Sequence, residues 1–309
     1  MFSSELWQAP SAGAGRHTRG IFAFGYLWGT GETSISNLVN TSGVVSSDVT
    51  GVGTSRQYVG ASTYGGDKAI FAYGAIGASY QNVSNLVSNE GVVASDVTGV
   101  GTSRQMGDGG VGYGEDRGIF FGGIVSWPTM TGVTNLVSSS GVIASDTSGV
   151  GTARAQVSSC SYDEDKGIYA YGFTPSNVSM SNLVSNVGVV ASDVTGVGTA
   201  RYSGAGCGYG GDKGIMAYGY TGGSPVATNV SNLISNSGVV ASDASGVGTA
   251  RAYISACTYD SDKGIFAYAS NDGGSGNTSK NLVNNEGTVA SDASGVGSVI
   301  SSRGGTTFA

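Results

Sequence analysis

Residues 229–251 read NVSNLISNSGVVASDASGVGTAR, and this segment is one of six copies that together decide the fold. In it, Asp243 follows Asn232 by 11 residues, and a Gly-Val-Gly triplet begins three residues after the Asp. Both spacings are constant, and the copies recur with a period of 47 to 50 residues. The copies of the Asn are Asn37, Asn85, Asn135, Asn182, Asn232 and Asn281, and those of the Asp are Asp48, Asp96, Asp146, Asp193, Asp243 and Asp292. This regularity predicts six copies of one supersecondary unit.

Each unit has the pattern of four short strands. In the fifth copy, residues 214–219 are apolar and bounded by Gly, which is typical of a buried strand. Residues 229–235, 239–242 and 252–259 supply three more strand-like segments, and Gly238 closes a turn between two of them. No segment keeps a 3.6-residue period. We therefore predict an all-β fold with four antiparallel strands per unit and essentially no helix.

The end of each copy resembles a known repeat. The segment GVGTAR at 246–251, followed by TYDSDKGIFAY at 258–268, is similar to the kelch repeat. The outer-strand Trp of that family is absent, and its double Gly remains only at Gly122-Gly123. The resemblance covers residues 16–309 and implies a single six-bladed β-propeller. Residues 1–15 are then left as an N-terminal docking arm.

The spacing also predicts how the two ends of the chain meet. In most copies the Gly-Val-Gly triplet precedes an aromatic residue by 13 positions, as from Gly246 to Tyr259, and the same count from Gly295 reaches Phe308. The C-terminal strand should therefore pair with the segment that begins at Gly20, which closes the ring and leaves no exposed sheet edge. Ile300 stands where the other copies carry an Arg, so we expect the last connection between units to lack that charged contact.

Composition excludes several function classes. The formal net charge of −7 and the pI of about 4.6 leave no basic footprint for nucleic acid. No stretch approaches the roughly 20 apolar residues of a membrane span, so we expect no membrane insertion. Residues 1–15 lack the pattern of a signal peptide. The single histidine, His17, argues against a Ser-His-Asp triad or a multi-histidine metal site, and we expect no cofactor, no metal and no enzymatic activity.

Residues that recur in nearly every copy are interpreted as structural, because a catalytic group belongs to one site. The repeated Asp is expected to accept backbone N–H bonds in a turn, and the repeated Arg to hydrogen-bond between units. Cys160, Cys207 and Cys257 occupy one repeat position and are expected to be small, unpaired core residues. Two weaker alternatives stay open: a sialidase-like Asp motif near Asp48, and calcium binding by the acidic turns at Asp163 and Asp260.

The variable positions are more informative about function. Loop length varies between the Gly-Ile segment and the Asn-Leu segment of each unit, and aromatic residues gather there. Aromatic side chains on variable loops favour a partner interface. The candidate binding residues in these loops are Trp28, Tyr80, Trp127 and Tyr220, and Trp7 is a further candidate in the arm.

These features predict a non-enzymatic structural or binding protein. Uniform, glycine-rich, charge-poor repeats with a short arm resemble virion proteins of tailed bacteriophages, in a tail, nozzle, fibre or capsid-associated position. That resemblance implies synthesis in the host cytoplasm, location in the virion, and other virion proteins together with a host surface glycan or receptor as partners. A cellular kelch-type propeller that binds protein or carbohydrate is the alternative, and a glycosidase-like propeller enzyme is the third reading.

Overall fold

The computed structural model describes residues 18–222, 226–271 and 275–309. These residues form 24 strands and no helix, which confirms the all-β prediction, and so no helix among them could span a membrane. The predicted arm and Trp7 lie outside the described residues. In chain order the strands are β1 (Arg19–Ala23), β2 (Tyr26–Leu27), β3 (Gly31–Glu32), β4 (Ser36–Val39), β5 (Gly60–Tyr64), β6 (Lys68–Ala72), β7 (Ala75–Ile76), β8 (Ser79–Tyr80), β9 (Ser84–Val87), β10 (Gly110–Tyr113), β11 (Arg117–Ser126), β12 (Thr129–Val137), β13 (Ser158–Tyr162), β14 (Lys166–Ala170), β15 (Ser181–Val184), β16 (Ala205–Tyr209), β17 (Lys213–Tyr220), β18 (Ala227–Ile234), β19 (Arg251–Ala252), β20 (Ser255–Tyr259), β21 (Lys263–Asn271), β22 (Gly276–Val283), β23 (Ile300–Ser301) and β24 (Gly304–Phe308).

Eighteen of the 24 strands form six similar antiparallel sheets, each with a first, a middle and a third strand. In that order, unit 1 is β24, β1 and β4; unit 2 is β5, β6 and β9; unit 3 is β10, β11 and β12; unit 4 is β13, β14 and β15; unit 5 is β16, β17 and β18; and unit 6 is β20, β21 and β22. Strands β23, β2 and β3 form a further small sheet, β7 and β8 form a two-stranded one, and β19 pairs with the far end of β21. In unit 2, Ile70 of the middle strand lies opposite Ser62 on one side and Leu86 on the other. Ile70 and Phe71 are both fully buried although they point to opposite faces, so the sheet is covered on both faces.

The segment predicted as a further strand in each unit forms only isolated bridges. In unit 1 these bridges join Val39 to Val45 and Ser36 to Val49. Between them the Asn37 side chain donates to Ser46 O (3.1 Å), and the Ser46 hydroxyl accepts the Leu38 N–H (2.9 Å). Side chains thus take part of the hydrogen bonding that a regular ladder would supply. The prediction of four regular strands per unit is therefore wrong for this segment.

The hydrophobic core is divided among the gaps between successive units. Phe71 of unit 2 packs with Ile21 and Phe24 of unit 1, and Phe22 of unit 1 packs with Ile265 of unit 6. Four further clusters fill the remaining gaps in the same way. A fully buried side chain of this size contributes about 1.5–3 kcal/mol to folding. Each unit is consequently stabilised mainly by its two neighbours.

The two ends of the chain share one sheet, as the spacing predicts. Strand β24 pairs antiparallel with β1, and Phe308 lies opposite Arg19. This is the register of Tyr64 opposite Lys68 in unit 2. The first strands contact one another in the order β5, β10, β13, β16, β20 and β24, and β24 also contacts β5. The series of contacts between first strands therefore returns to its starting point.

A buried Arg ties each unit to the next. In unit 2, the Arg56 guanidinium donates from Nη2 to Asn85 Oδ1 (2.8 Å) and from Nε to Tyr73 O (2.7 Å). Its Cζ also lies 4.1 Å from the ring centroid of Phe24 in unit 1. Burial lowers the pKa of Arg56 to about 10, against the opposing effect of Asp96, so the group stays charged at neutral pH. The equivalent pairs are Arg104–Asn135, Arg154–Asn182, Arg201–Asn232 and Arg251–Asn281.

The repeated Asp forms a second tie between units. Asp96 accepts hydrogen bonds from the N–H (3.1 Å) and hydroxyl (2.5 Å) of Thr54 in the preceding connection, and from Asn85 Nδ2 (2.9 Å). Partial burial would raise the pKa of Asp96, but these hydrogen bonds outweigh it, and the pKa lies below its ordinary value. The equivalent pairs are Thr102–Asp146, Thr152–Asp193, Thr199–Asp243, Thr249–Asp292 and Ser298–Asp48. The structural interpretation of the Asp is confirmed.

The expectation that the last connection lacks its charged contact is wrong. Ile300 is buried, but Arg303, three residues further along, donates to Asn37 Oδ1 (2.7 Å) and Phe22 O (2.9 Å). Its guanidinium lies 4.3 Å from the ring centroid of Tyr268. The Arg303 side chain starts just before β24, whereas the other Arg residues start earlier in their connections. Because the side chain is long, its guanidinium still reaches the equivalent position beside the repeated Asn.

Candidate functional site

A series of six backbone hydrogen bonds joins the connections between units at one end of the molecule. Each N–H in the series donates to the carbonyl of the equivalent connection in the preceding unit, over 2.9 to 3.1 Å. The bonds run from Met106 to Tyr58, Gln156 to Met106, Ser203 to Gln156, Tyr253 to Ser203, Ser302 to Tyr253 and Tyr58 to Ser302. The last bond returns to the first connection. These connections lie at the same end of the molecule as the loops between middle and third strands. We call this end the loop end.

The backbone is strained where this series forms. Tyr58, Gln156, Ser203, Tyr253 and Ser302 all have φ between 52 and 55°. A residue with a Cβ loses roughly 1–2 kcal/mol in this left-handed region. The hydrogen bonds offset that cost, and in this arrangement the Tyr58 and Tyr253 rings lie 5.9 Å apart between centroids.

Six aromatic rings form one continuous set of contacts at the loop end, which we call the aromatic tract. From one end to the other the rings are Trp127, Phe173, Tyr202, Tyr220, Tyr253 and Tyr58, and successive centroids are 5.3 to 5.9 Å apart. Such separations are typical of attractive aromatic pairs. The tract includes one residue each from units 3, 4 and 5, at or beyond the ends of their middle strands, and three residues from the connections between units. The whole-chain fold is therefore needed to assemble it.

Trp127 is the most exposed member of the tract, and a rigid hairpin positions it. Strands β11 and β12 are 10 and 9 residues long, and they extend past the sheet to a turn in which Ser126 lies opposite Thr129. Trp127 occupies this turn with 66% of its surface exposed, and its indole lies nearly parallel to the Phe173 ring, at 10°. Phe173 thus packs against one face of the indole. The other face is suited to stacking with a flat group of a ligand or partner.

The tyrosines of the tract lie close together and are uncharged. The Tyr58 and Tyr202 hydroxyls lie close enough to the Tyr253 hydroxyl for each to influence the pKa of the other. Burial raises the pKa of Tyr253 well above its ordinary value, and the neighbouring tyrosines raise it further. Burial likewise raises the pKa of Tyr58 and Tyr202. All three hydroxyls therefore stay protonated at neutral pH and can both donate and accept hydrogen bonds.

No Arg in the described part of the loop end is accessible, and the half-buried Lys280 of β22 directs its Nζ away from this end, to Gly43 O (3.2 Å). The six Arg residues there are buried and bonded to the repeated Asn. The acidic groups are the six repeated Asp and Glu32, whose Oε1 accepts from Gly77 N (2.9 Å) and Gln57 Nε2 (3.2 Å). The Gly77 bond in particular lowers the pKa of Glu32, so it is ionised at neutral pH. The paired lysines lie at the other end, in hairpins such as Asp163–Lys166.

The predicted binding residues have different surroundings. Trp127 and Tyr220 are brought together in the aromatic tract, although Tyr220 is almost fully buried. Trp28 is 36% exposed, and its Nε1 donates to Ser301 Oγ (3.2 Å) while its ring lies against Gly276, so it covers the junction of units 6 and 1. Tyr80 is half-buried opposite Ala75 in the β7–β8 hairpin. Trp7 lies outside the described residues.

Four members of the tract were not predicted from the sequence. Tyr58, Tyr202 and Tyr253 follow the repeated Arg by one or two positions, and Phe173 follows the Gly that ends the middle strand of unit 4. The signal was present, because these positions differ from unit to unit while the Arg or Gly that precedes them recurs. Nothing in the spacing, however, shows that positions in separate copies face one another.

A central cavity of about 60 Å³ lies between the six first strands. Its lining includes Ser62, Val111, Cys160, Cys207, Cys257 and Thr306, one from each unit, and Asp108 from the segment before β10. Asp108 Oδ2 accepts the Ser159 N–H (3.2 Å), and the Gly206 N–H also bonds to this carboxyl group. Burial raises the pKa of Asp108 to about 8, despite these hydrogen bonds.

The remaining chemical candidates are accounted for by packing and pairing. The three Cys residues are buried and free, as predicted. The Asp163 carboxylate pairs with Lys166 in its own turn. Within the described residues, no three His, Cys, Asp or Glu side chains come together as metal ligands would. The aromatic tract is consequently the strongest candidate site in the described chain.

Comparison with known proteins assigns no family to the chain. No protein-family model matches the sequence, and no curated protein matches it significantly.

Proposed function

We propose that the chain is a closed six-bladed β-propeller, spanning residues 16–309, that acts as a non-enzymatic binding protein. Each of the six units is one blade, and the C-terminal strand β24 completes the first blade. The aromatic tract is the surface that contacts the partner. The contiguity of its six rings, from the exposed Trp127 at one end to Tyr58 at the other, is the observation that carries this proposal.

Three independent sets of contacts support the closed arrangement. The Arg–Asn ties, the Asp ties and the backbone series at the loop end each occur six times, and the sixth member of each joins unit 6 to unit 1. Strand β24, which is far from β1 in the sequence, supplies one strand of the first blade by pairing with β1. A propeller of this kind leaves only short outer edges, which agrees with the isolated bridges found there.

The binding role is supported by the nature of the exposed surface. Trp and Tyr dominate the energetically important residues of interfaces because they offer a large contact area with few rotatable bonds. Trp127 exposes two thirds of its surface on a turn that the sheet does not need for its own packing. Stacking on Phe173 uses one face of the indole, and the exposed remainder is left as contact area for a partner.

The biological setting we propose is the virion of a tailed bacteriophage. The uniform, glycine-rich repeats, with Gly at 55 of 309 positions, resemble those of tail, nozzle, fibre or capsid-associated proteins. In that setting residues 1–15 attach the protein to other virion proteins, and the loop end faces a host surface glycan or receptor.

Labelling of purified particles tests this proposal. Antibodies to the chain should mark one defined position on the particle by electron microscopy. Particles that carry Trp127→Ser should assemble normally but attach to host cells more weakly than wild type. The matched control is Val142→Ser, since Val142 is 63% exposed but lies beyond the opposite end of β12. Protein found only free in cell lysates, or attachment unchanged by Trp127→Ser, contradicts the proposal.

A further inference from the structure

We infer that the aromatic tract binds a neutral oligosaccharide, with Trp127 as the principal stacking residue. This inference rests on the proposed binding function and names the chemical class of the ligand. It follows from three properties of the loop end: the arrangement of the rings, the lack of an accessible Arg among its described residues, and the polar groups beside the rings.

The first property is the arrangement of the rings. Sugar rings present flat C–H faces that pack on aromatic rings, and several aromatic rings in a row suit several linked sugars. The Trp127 indole is supported on one side by Phe173 at 10° and is two thirds exposed. Phe173, Tyr202, Tyr253 and Tyr58 are half-buried, so each keeps part of its surface exposed. The tract therefore offers a main stacking position with weaker positions beyond it.

The second property is the charge. Sialylated, sulfated or uronic-acid glycans and phosphorylated ligands are recognised by Arg and Lys. Every Arg in the described part of the loop end is buried and already bonded to an Asn, while the exposed charges there are acidic. Glu32 and the repeated Asp would repel an anionic ligand. These carboxylates are themselves hydrogen-bonded by Thr, Ser, Asn, Gln or backbone groups, which reduces their attraction for a cationic one.

The third property is the polar groups beside the rings. Asn177 Nδ2 lies 3.4 Å from Tyr220 O, which brings a side-chain amide next to the tract. The Tyr58, Tyr202 and Tyr253 hydroxyls lie close together, and burial keeps them protonated. Amides and neutral hydroxyls both donate and accept, as the hydroxyls of a neutral sugar do. Apolar stacking combined with such uncharged groups favours a neutral saccharide over a charged peptide.

Retention of the purified protein on immobilised polysaccharides tests this inference. The probes are neutral dextran, mannan and β-glucan, anionic polygalacturonate and cationic chitosan. We expect wild type to bind at least one neutral polysaccharide, with an affinity that changes little between low and physiological salt. Trp127→Ala should weaken that binding about tenfold, because a lost aromatic stack is worth about one factor of ten. Tyr202→Phe, which keeps the ring but removes one hydroxyl, should weaken it less, and Val142→Ser should not change it.

The outcomes separate this inference from the proposed function. Preferred binding to polygalacturonate or chitosan, or neutral binding that survives Trp127→Ala, overturns the inference. If no polysaccharide binds but Trp127→Ser still weakens attachment of the particle to host cells, the saccharide inference fails and the proposed binding face stands. If neither polysaccharide binding nor attachment depends on Trp127, both fail. Circular dichroism and melting temperature establish that each variant is folded.

Discussion

Asp108 is a carboxyl group placed where a carboxylate is costly. It lies in the one connection that is a residue longer than the others, and its side chain lines the central cavity beside the Ser159 and Gly206 amides. Burial there raises its pKa to about 8, whereas an unfolded chain would have an Asp pKa of about 3.9. The folded protein therefore holds a proton that the unfolded chain releases between about pH 4 and pH 8.

Asp108→Asn should remove this dependence on pH. Since the folded state binds the extra proton, wild-type stability should fall as pH rises from about 4 to 8 and then level off. The Asn variant keeps the size and hydrogen-bonding capacity of the side chain but does not titrate. We expect its free energy of unfolding to exceed that of wild type at pH 8 and to approach it at pH 4.

Urea unfolding at a series of pH values measures this difference. Asp116→Asn, in an exposed hairpin of the same unit, serves as the control and should differ little from wild type at any of these pH values. A wild-type and an Asp108→Asn curve that stay parallel from pH 4 to 8 would show that the carboxyl group is not buried as described.

Single residues also show the limits of counting along the sequence. Recurrence correctly identified the Asp and Arg groups as structural, because six copies of one contact cannot all be one active site. The same counting failed for Arg303, since a fixed position in the repeat was assumed while the side chain is long enough to reach Asn37 from three residues further along. The spacing of residues in a repeat does not show how far a long side chain can reach.

At the scale of elements, the separation of neighbouring sheets depends on one pair of small residues. The Gly that begins the middle strand faces a first-strand residue of the preceding unit, as Gly214 faces the Cys160 thiol, Gly264 faces Cys207 and Gly20 faces Cys257. A Cβ at Gly214 would overlap the Cys160 sulfur. The sheets therefore approach one another as closely as these residues permit.

Gly214→Ala should destabilise the protein by about 1–3 kcal/mol, as overpacking typically does. Cys160→Ala removes the overlapping sulfur, so the double variant should recover most of the loss made by Gly214→Ala. Denaturant unfolding of both single variants and the double variant gives the coupling between the positions. Gly211→Ala, at a turn position where a Cβ meets no neighbour, shows the effect of the left-handed backbone alone (φ 83°). Additive effects of the Gly214 and Cys160 changes would contradict the proposed contact.

Elements also divide into those that the sequence predicts and those that it does not. The strands around Gly214 and Ser255 were predicted because their pattern of apolar residues and Gly is local. The segment after the third strand was overpredicted, because Val239 and Val240 have strand-like side chains while Asn232 and Ser235 bond the neighbouring backbone instead. The tract around Tyr253 depends on contacts between units and could not be assembled from any one copy.

At the scale of the whole molecule, the main feature is the set of contacts that joins unit 6 to unit 1. Asp48 accepts from Ser298, Arg303 donates to Asn37, and Tyr58 N–H donates to Ser302. Each of these contacts has five equivalents inside the chain, so the ends meet as any two neighbouring units do. Pairing of the ends was predictable from the position of Phe308, whereas the geometry of a propeller goes beyond a repeat spacing and remains our proposal.

Hydrogen exchange of the intact protein tests this closure most directly. Strand β24 makes the same antiparallel pairing with β1 that β20 makes with β21. If the ring is closed, the amides of residues 304–308 should exchange as slowly as those of residues 255–259, because opening either strand requires the same cooperative loss of packing. Mass spectrometry of peptides from the two segments, sampled from seconds to days at one pH, gives the comparison. Exchange of residues 304–308 at the rate of an unstructured terminus, while residues 255–259 stay protected, would contradict the closed arrangement.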